Sequence, residues 1–170
     1  TLALRSKFDE AARHVDQACE IDPLCLMANT VAAWTRYLSG DVDLAIERCR
    51  HALHLFPDFA PAQRLLGAAY FKAGDHARAR ATLEASVKAD PTDPIRLAWL
   101  AHLRAVSGAR AEAKELIALA LAQHVRRYVS SFHLAIAYAG LDEHDCAFAA
   151  LDQAWLDRDP ALATVTVEPR

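Results

Sequence analysis

The chain has 170 residues, of which 54% are hydrophobic and only 12 are glycine or proline (5 Gly and 7 Pro). This composition excludes a disordered chain and provides enough apolar surface for a domain with a substantial core. The net charge of −3 disfavours direct contact with nucleic acid, which usually requires a basic face, and no apolar run approaches the ~20 residues of a membrane span.

About nine helices are predicted, separated by short groups of turn-forming residues. In chain order they cover residues 7–21, 26–39, 42–55, 60–73, 76–89, 94–107, 110–123, 129–140 and 144–157. The β-branched segment after the last helix does not suit a further helix. It is expected to lie extended over the last helix pair and to cover Trp155.

A constant spacing of 34 residues organises these segments. Small residues recur without any insertion at Ala11, Ala45, Ala79, Ala113 and Ala147. Four residues after each alanine stands an apolar side chain, which lies one helical turn along the same face. A fixed period in this range is typical of repeat proteins built from stacked helix pairs.

Turn residues follow the same period. Five residues before each alanine stands a turn former, namely Ser6, Gly40, Gly74, Gly108 or Asp142. Glycine adopts positive φ without strain and so ends the preceding helix. Pro23, Pro57 and Pro91 end the second helix of successive units, whereas Val125 stands at that position in the fourth unit.

The third unit connects this period to a known family. Leu66-Gly67, Tyr70, Ala79, Leu83 and Pro91 have the spacing of a tetratricopeptide repeat, with Gln63 where a tryptophan is usual. The whole chain therefore resembles the tetratricopeptide-repeat (TPR) family. The resemblance implies an all-α fold, a right-handed superhelix (α-solenoid) of antiparallel helix pairs with a concave inner face.

The period divides the predicted single domain, residues 1–170, into repeats. Residues 1–25 hold helix B of a partial first repeat, the complete repeats are 26–59, 60–93, 94–127 and 128–161, and residues 162–170 form a C-terminal tail. The first repeat lacks its helix A. We therefore expect helix 7–21 to expose a face that a partner covers, and we expect the chain to be a piece of a longer protein.

The resemblance implies that helix A of each repeat lines the concave face. The candidate binding surface consists of Trp34, Tyr37, Arg64, Phe71, Lys72, Trp99, His102, Phe132, His133 and Ile136. Aromatic anchors beside cationic groups are typical of peptide-binding hot spots. For each aromatic residue taken singly, packing between adjacent helices is the alternative interpretation.

The last repeat has a further resemblance. Tyr138-Ala139-Gly140-Leu141, followed by Ala147-Phe148 and Arg158-Asp159-Pro160, is similar to the closing repeat of bacterial regulators. In those proteins a repeat array follows a winged-helix DNA-binding domain or a nucleotide-cyclase domain. The resemblance implies that this chain is the regulatory part of a larger bacterial protein.

Two functions follow as hypotheses. The first is a non-catalytic scaffold for protein–protein interaction, which binds a peptide or protein element in the concave groove. The alternative is an assembly arm of a transcriptional regulator or cyclase, which pairs copies of the protein through exposed solenoid ends and has no external peptide ligand.

Catalytic and metal-binding motifs are absent from the sequence. It contains no G-x-S-x-G, P-loop, G-x-G-x-x-G or H-E-x-x-H, so neither an enzyme nor a cofactor is predicted. His51 and His54 have a spacing that suits one metal ion, but no further ligand is placed beside them. A solvated helix face is the preferred interpretation of this pair.

The four cysteines form no C-x-x-C motif. Cys19 and Cys49 are predicted to be small buried hydrophobic residues. A Cys19–Cys25 disulfide fits the spacing, but free thiols are favoured in a chain with an adequate core. Free thiols indicate a reducing compartment, and we expect a cytoplasmic location.

Overall fold

The computed structural model describes residues 2–164, and for residues 2–9 and 163–164 it describes only the backbone. This range contains nine α-helices, two short 3-10 helices and no strand. The α-helices are α1 (Leu2–Ile21), α2 (Leu26–Ser39), α3 (Val42–Leu55), α4 (Ala60–Lys72), α5 (His76–Ala89), α6 (Pro94–Val106), α7 (Arg110–Ala122), α8 (Ser131–Gly140) and α9 (His144–Leu156). The predicted all-α fold of antiparallel helix pairs is confirmed. Every helix end except the start of α1 lies within two residues of its predicted position.

The same turn closes helix A in each complete repeat. Gly40, Gly74 and Gly108 have φ of 94°, 81° and 86°, and Asp142 has φ of 58°. The residue after each of these turns donates its backbone N–H to the carbonyl oxygen five residues earlier. Asp41 N lies 2.9 Å from Arg36 O, and the equivalent hydrogen bonds are made by the residues after Gly74, Gly108 and Asp142. This hydrogen bond satisfies a terminal carbonyl of the helix, and the left-handed residue reverses the chain into helix B. The predicted turns at Gly40, Gly74, Gly108 and Asp142 are therefore confirmed. The turn predicted at Ser6 is wrong, because Ser6 lies within α1, which begins at Leu2.

The periodic small residues lie in the core of the helix pairs. Ala45, Ala79 and Ala113 are fully buried, and Cys49 four residues after Ala45 is buried as well. A side chain without bulk lets two helix axes approach closely, and the larger side chain one turn along fills the space beside the crossing. In α1, by contrast, Ala18 is exposed. This agrees with the expectation that this helix has an uncovered face.

The described residues form two compact units, residues 2–82 and 83–164, and α5 runs through the division. The buried hydrophobic residues of unit 1 include Ala32, Ala33, Cys49, Leu65 and Tyr70. In unit 2 the core cluster includes Leu97, Ala101, Ile117, Leu134 and Leu141. None of the helices within residues 2–164 has both the length and the apolar character needed to cross a bilayer.

The connection between α7 and α8 departs from the predicted repeat. The other repeats are joined by the short segments 22–25, 56–59 and 90–93, whereas α7 and α8 are joined by the longer segment 123–130. The chain continues from α7 into a 3-10 helix, Gln123–Val125, because Val125 does not end the helix as a proline does. As a result α8 begins at Ser131, two residues after the predicted start at residue 129.

The segment after α9 also differs from its prediction. Pro160–Thr164 form a 3-10 helix instead of an extended strand. Asp159 Oδ1 accepts a hydrogen bond from Ala161 N at 2.9 Å, in the manner of a helix N-cap, and Pro160 suits the first helical position. Trp155 is 77% exposed, so the predicted covering of this side chain is wrong. Residues 165–170 of the tail lie outside the described residues.

Candidate functional site

In unit 1, the predicted residues of α2 and α4 meet around Tyr37. The rings of Trp34 and Tyr37 stack with their centroids 5.6 Å apart and an interplanar angle of 23°. Lys72 Nζ lies 4.4 Å from the centroid of the Tyr37 ring and donates a hydrogen bond of 3.0 Å to Tyr37 O. An ammonium over an aromatic face is attracted by the ring quadrupole. These contacts hold the end of α4 against α2.

The exposure of these residues differs. Tyr37 is buried, Trp34, Arg64 and Phe71 are half-buried, and Lys72 is exposed. The ring of Phe71 lies 5.0 Å from that of His76. Unit 1 therefore presents parts of two aromatic side chains and a cationic head, whereas Tyr37 supports them from beneath. We name Trp34, Tyr37 and Lys72 the unit 1 cluster.

In unit 2, the predicted residues of α6 and α8 form a second group. The Trp99 ring lies 6.4 Å from His102 and 6.2 Å from His133, and the rings of Phe132 and His133 are 5.5 Å apart. Phe132 is buried, and Trp99, His102, His133 and Ile136 are half-buried. Phe132 therefore has little surface to offer a ligand.

His102 is fixed by a backbone hydrogen bond. Its Nδ1 lies 3.0 Å from Ile136 O, and because a carbonyl oxygen only accepts, Nδ1 carries the proton. Burial lowers the pKa of His102, although the bond to Ile136 opposes the shift. Gly140 makes this approach of α8 to α6 feasible, since a Cβ there would lie 2.8 Å from His102 Nδ1.

The indole N–H of Trp99 has an unusual environment. Nε1 is buried and has no hydrogen-bond partner among the described residues. A buried donor without a partner carries a desolvation penalty, and native structures contain few of them. The aromatic ring of Trp99, and not its polar atom, therefore accounts for its packing in unit 2.

A polar network at the start of α8 was not predicted from the sequence. Ser130 Oγ donates to Asp159 Oδ2 at 2.6 Å, and His133 Nδ1 lies 2.6 Å from the same Oγ. Because the Ser130 proton is committed to Asp159, His133 is the donor to Ser130. The serine is buried and is not activated by a base. The arrangement is that of a helix cap and not of a nucleophile.

Asp159 is the anchor of this network. Burial raises its pKa, but hydrogen bonds from Ser130, Ala161 N and Tyr128 outweigh burial and hold the pKa below its usual value. The bond between Ser130 and Asp159 joins the start of α8 to the segment after α9. Two helix-cap patterns in the sequence could have indicated these residues. One is a serine, Ser130, at the start of a helix, and the other is an aspartate followed by proline, Asp159-Pro160.

The metal and thiol chemistry of the described residues is limited. Among the described side chains, those of residues 10–162, no group of three His, Cys, Asp or Glu is placed to hold a metal ion. All four cysteines are free thiols, so the Cys19–Cys25 disulfide does not form. Burial raises the pKa of Cys49 to about 12, and it also raises the pKa of Cys19 above its usual value. Both thiols are therefore poor nucleophiles.

Residues 36–101 match the sequence model of the family described as Tetratricopeptide repeat. This part of the chain is similar in sequence to tetratricopeptide repeats. The match covers α3, α4, α5 and most of α6, and the last turn of α2. It includes the third unit, whose motif first indicated the family. No curated protein matches the chain.

Solved structures extend the tetratricopeptide-repeat fold to almost the whole chain. A chain of the APC/C hetero-tetramer Cut9–Hcn1 has 24% identity and a TM-score of 0.69, over 89% of this chain but only 30% of that one. MamA has 19% identity and a TM-score of 0.59, over 95% of this chain and 94% of its own. YrrB, whose structure is described as "a TPR protein with an unusual peptide-binding site", has 20% identity and a TM-score of 0.54. The match covers 94% of this chain and 81% of YrrB. At these identities the likeness shows the fold alone.

Proposed function

We propose that this chain is a non-catalytic interaction scaffold that binds a peptide or protein element on the helix A faces of its repeats. The observation that carries the proposal is the unit 1 cluster with its neighbour Phe71. It combines an exposed ammonium with half-buried aromatic rings on two adjacent helices. Aromatic residues beside a cation are the side chains that dominate binding energy at interfaces.

Preorganisation supports this use of unit 1. Tyr37 is buried and contacts both Trp34 and Lys72, so both of these side chains are already held before a ligand arrives. Little side-chain entropy is then lost on binding, which leaves more of the contact energy for affinity. The description of YrrB as a peptide-binding TPR protein adds support by analogy of fold.

The test is selection of 12-residue peptides against the whole chain, followed by affinity measurement with Trp34→Ala and Lys72→Ala. We expect Trp34→Ala to weaken the selected peptides ~30-fold, which corresponds to about 2 kcal/mol, and Lys72→Ala to weaken them less. Binding should also change the fluorescence of Trp34, which a chain carrying Trp99→Phe and Trp155→Phe isolates.

The matched control is Lys88→Ala, which removes an exposed lysine from α5. This variant should bind the peptides as the wild type does, and circular dichroism should show that all variants are folded. Selected peptides that bind Trp34→Ala and Lys72→Ala with unchanged affinity would show that the unit 1 cluster is not the site.

Assembly of copies is the second candidate function, and an apolar patch on α9 favours it. Phe148, Trp155 and Leu156 are between 68% and 77% exposed. The positions equivalent to Phe148 in the two preceding repeats are Arg80 and Lys114. Large exposed apolar patches on soluble proteins mark interaction sites. We name these three residues the α9 patch.

The setting of the scaffold is also a proposal. We propose that it forms the regulatory part of a larger bacterial protein, as the resemblance of its last repeat to closing repeats of bacterial regulators suggests. A cytoplasmic location is proposed as well, supported by the four free thiols.

A further inference from the structure

A cleft of about 760 Å³ lies in unit 2, where the end of α7, the connection to α8 and the end of α9 come together. Its walls include Leu121, Val125, Arg126, Tyr128, Leu134 and Asp157. The volume is within the range of about 300–1,000 Å³ that is usual for ligand-binding clefts.

The cleft coincides with the irregular connection between repeats. Its lining includes residues 124–129, which belong to the longer connection before α8. The other connections between repeats are half as long, as in residues 90–93. Connecting segments that depart from a regular scaffold often carry binding residues, because they can vary without disturbing the core.

The lining of the cleft mixes polar and apolar side chains, and part of its apolar wall is exposed. Val125 is 91% exposed, Tyr128 57% and Leu121 45%, and all three lie within eight positions of the chain. Leu134, which is buried in the core cluster of unit 2, also borders the cleft. A branched apolar side chain of a ligand would find three apolar neighbours here, each of which would lose contact with water.

The cleft also offers one uncommitted positive charge. Arg127 Nη1 is paired with Asp90 at 2.7 Å. Asp157 accepts a hydrogen bond from the neutral amide of Gln153 at 2.8 Å and keeps its negative charge at the α9 side of the cleft. No carboxylate among the described residues lies within ion-pair distance of Arg126. A guanidinium binds a carboxylate through paired hydrogen bonds, so Arg126 beside the apolar wall favours an acidic group.

We propose that this cleft binds an extended peptide segment in which a branched apolar side chain stands next to a carboxylate side chain. The apolar side chain enters between Leu121, Val125 and Tyr128, and the carboxylate pairs with Arg126. The site is distinct from the helix A surface of unit 2. On α8 the cleft is lined by Ser131 and Leu134, whereas the predicted surface used Phe132, His133 and Ile136 on other sides of the same helix.

The test is an NMR titration of the whole chain with a capped hexapeptide of sequence Ser-Leu-Glu-Leu-Glu-Ser. We expect shifts of the amides of residues 121–134 and 153–157, and at least ~tenfold weaker binding of the matched peptide with lysine in place of glutamate. Arg126→Glu should reverse this preference between the two peptides. Val125→Ser should weaken the binding of the glutamate peptide.

Arg80→Glu is the control, because it inverts an exposed arginine outside the cleft, and it should leave binding unchanged. The proposal is overturned if both peptides bind equally, if Arg126→Glu has no effect in a folded chain, or if the amides near the cleft do not shift at millimolar peptide. It is also overturned if sodium acetate at the same concentration produces the same shifts, because the cleft would then select an anion and not a peptide.

Discussion

His102 is a residue whose titration is controlled by its position between α6 and α8. Burial lowers its pKa below the usual value, and its Nδ1–H donates to Ile136 O at 3.0 Å. In the unfolded chain its pKa returns to about 6.5. The unfolded state therefore binds a proton more readily than the folded state, and the free energy of unfolding must depend on pH.

The direction of this dependence is fixed by the lowered pKa. The contribution of His102 to stability should be complete above about pH 7 and should be lost as the pH falls through about 6.5 towards its lower folded pKa. Urea unfolding at several pH values should show that His102→Gln has a weaker acid destabilisation than the wild type in this window. His51→Gln, which removes an exposed histidine, should keep the wild-type slope. Identical slopes for all three chains would contradict the assigned burial.

At the scale of the helix, contacts between successive repeats depend on a few polar side chains. Asp93 caps α6 by accepting a hydrogen bond from Ile95 N at 2.8 Å. Arg96 is buried, and its Nη1 donates to Ser86 O at 2.6 Å and to Ser86 Oγ at 3.0 Å. Ser86 stands where the other repeats have alanine, as at Ala52 and Ala120. These bonds join α5 to α6 within unit 2.

Removing the guanidinium should therefore be costly. Arg96→Met should lower the free energy of unfolding by about 2–3 kcal/mol, because Ser86 O and Oγ lose a buried charged donor. Ser86→Ala should cost about 1 kcal/mol or less, since alanine fits this position in the other repeats. The double variant should show a coupling of roughly 0.5–1.5 kcal/mol in urea unfolding.

Arg80→Met removes an exposed arginine from α5 and should change stability by less than about 0.5 kcal/mol. Additive losses for Ser86→Ala and Arg96→Met would mean that the two side chains do not interact in solution.

At the scale of the whole molecule, the α9 patch predicts association between copies. Light scattering should show a mass that rises with protein concentration. A double variant with Phe148→Lys and Leu156→Lys places lysine at two positions where an earlier repeat already has one. The equivalent residues are Lys114 and Lys88. This double variant should shift the self-association constant at least ~tenfold towards the monomer, because two charges must then be desolvated in the interface.

Leu119→Lys is the matched control, since Leu119 is an exposed leucine on α7. It should leave the association unchanged. A wild-type chain that is strictly monomeric up to millimolar concentration would remove the assembly function and leave the binding scaffold as the remaining candidate.

The period in the sequence determined the helices and the turns between them. Gly40, Gly74 and Gly108 specify positive φ locally, because glycine alone adopts it without strain, and the alanine positions specify buried helix crossings. The single missing proline also marked the one irregular connection, although its length and the cleft beside it could not be predicted. Spacing placed Trp34 and Tyr37 on one helix face, because residues three apart are neighbours there.

Only the tertiary structure decided which of these side chains meet and which remain accessible. Lys72 reaches the Tyr37 ring from 35 positions away, and Ser130 bonds Asp159 from 29 positions away. A repeat period predicts the face on which a side chain lies but not the side chain it contacts on the next helix. Tyr37 and Phe132 were predicted as binding residues and are buried, because burial depends on the neighbouring helices and not on the residue's own helix.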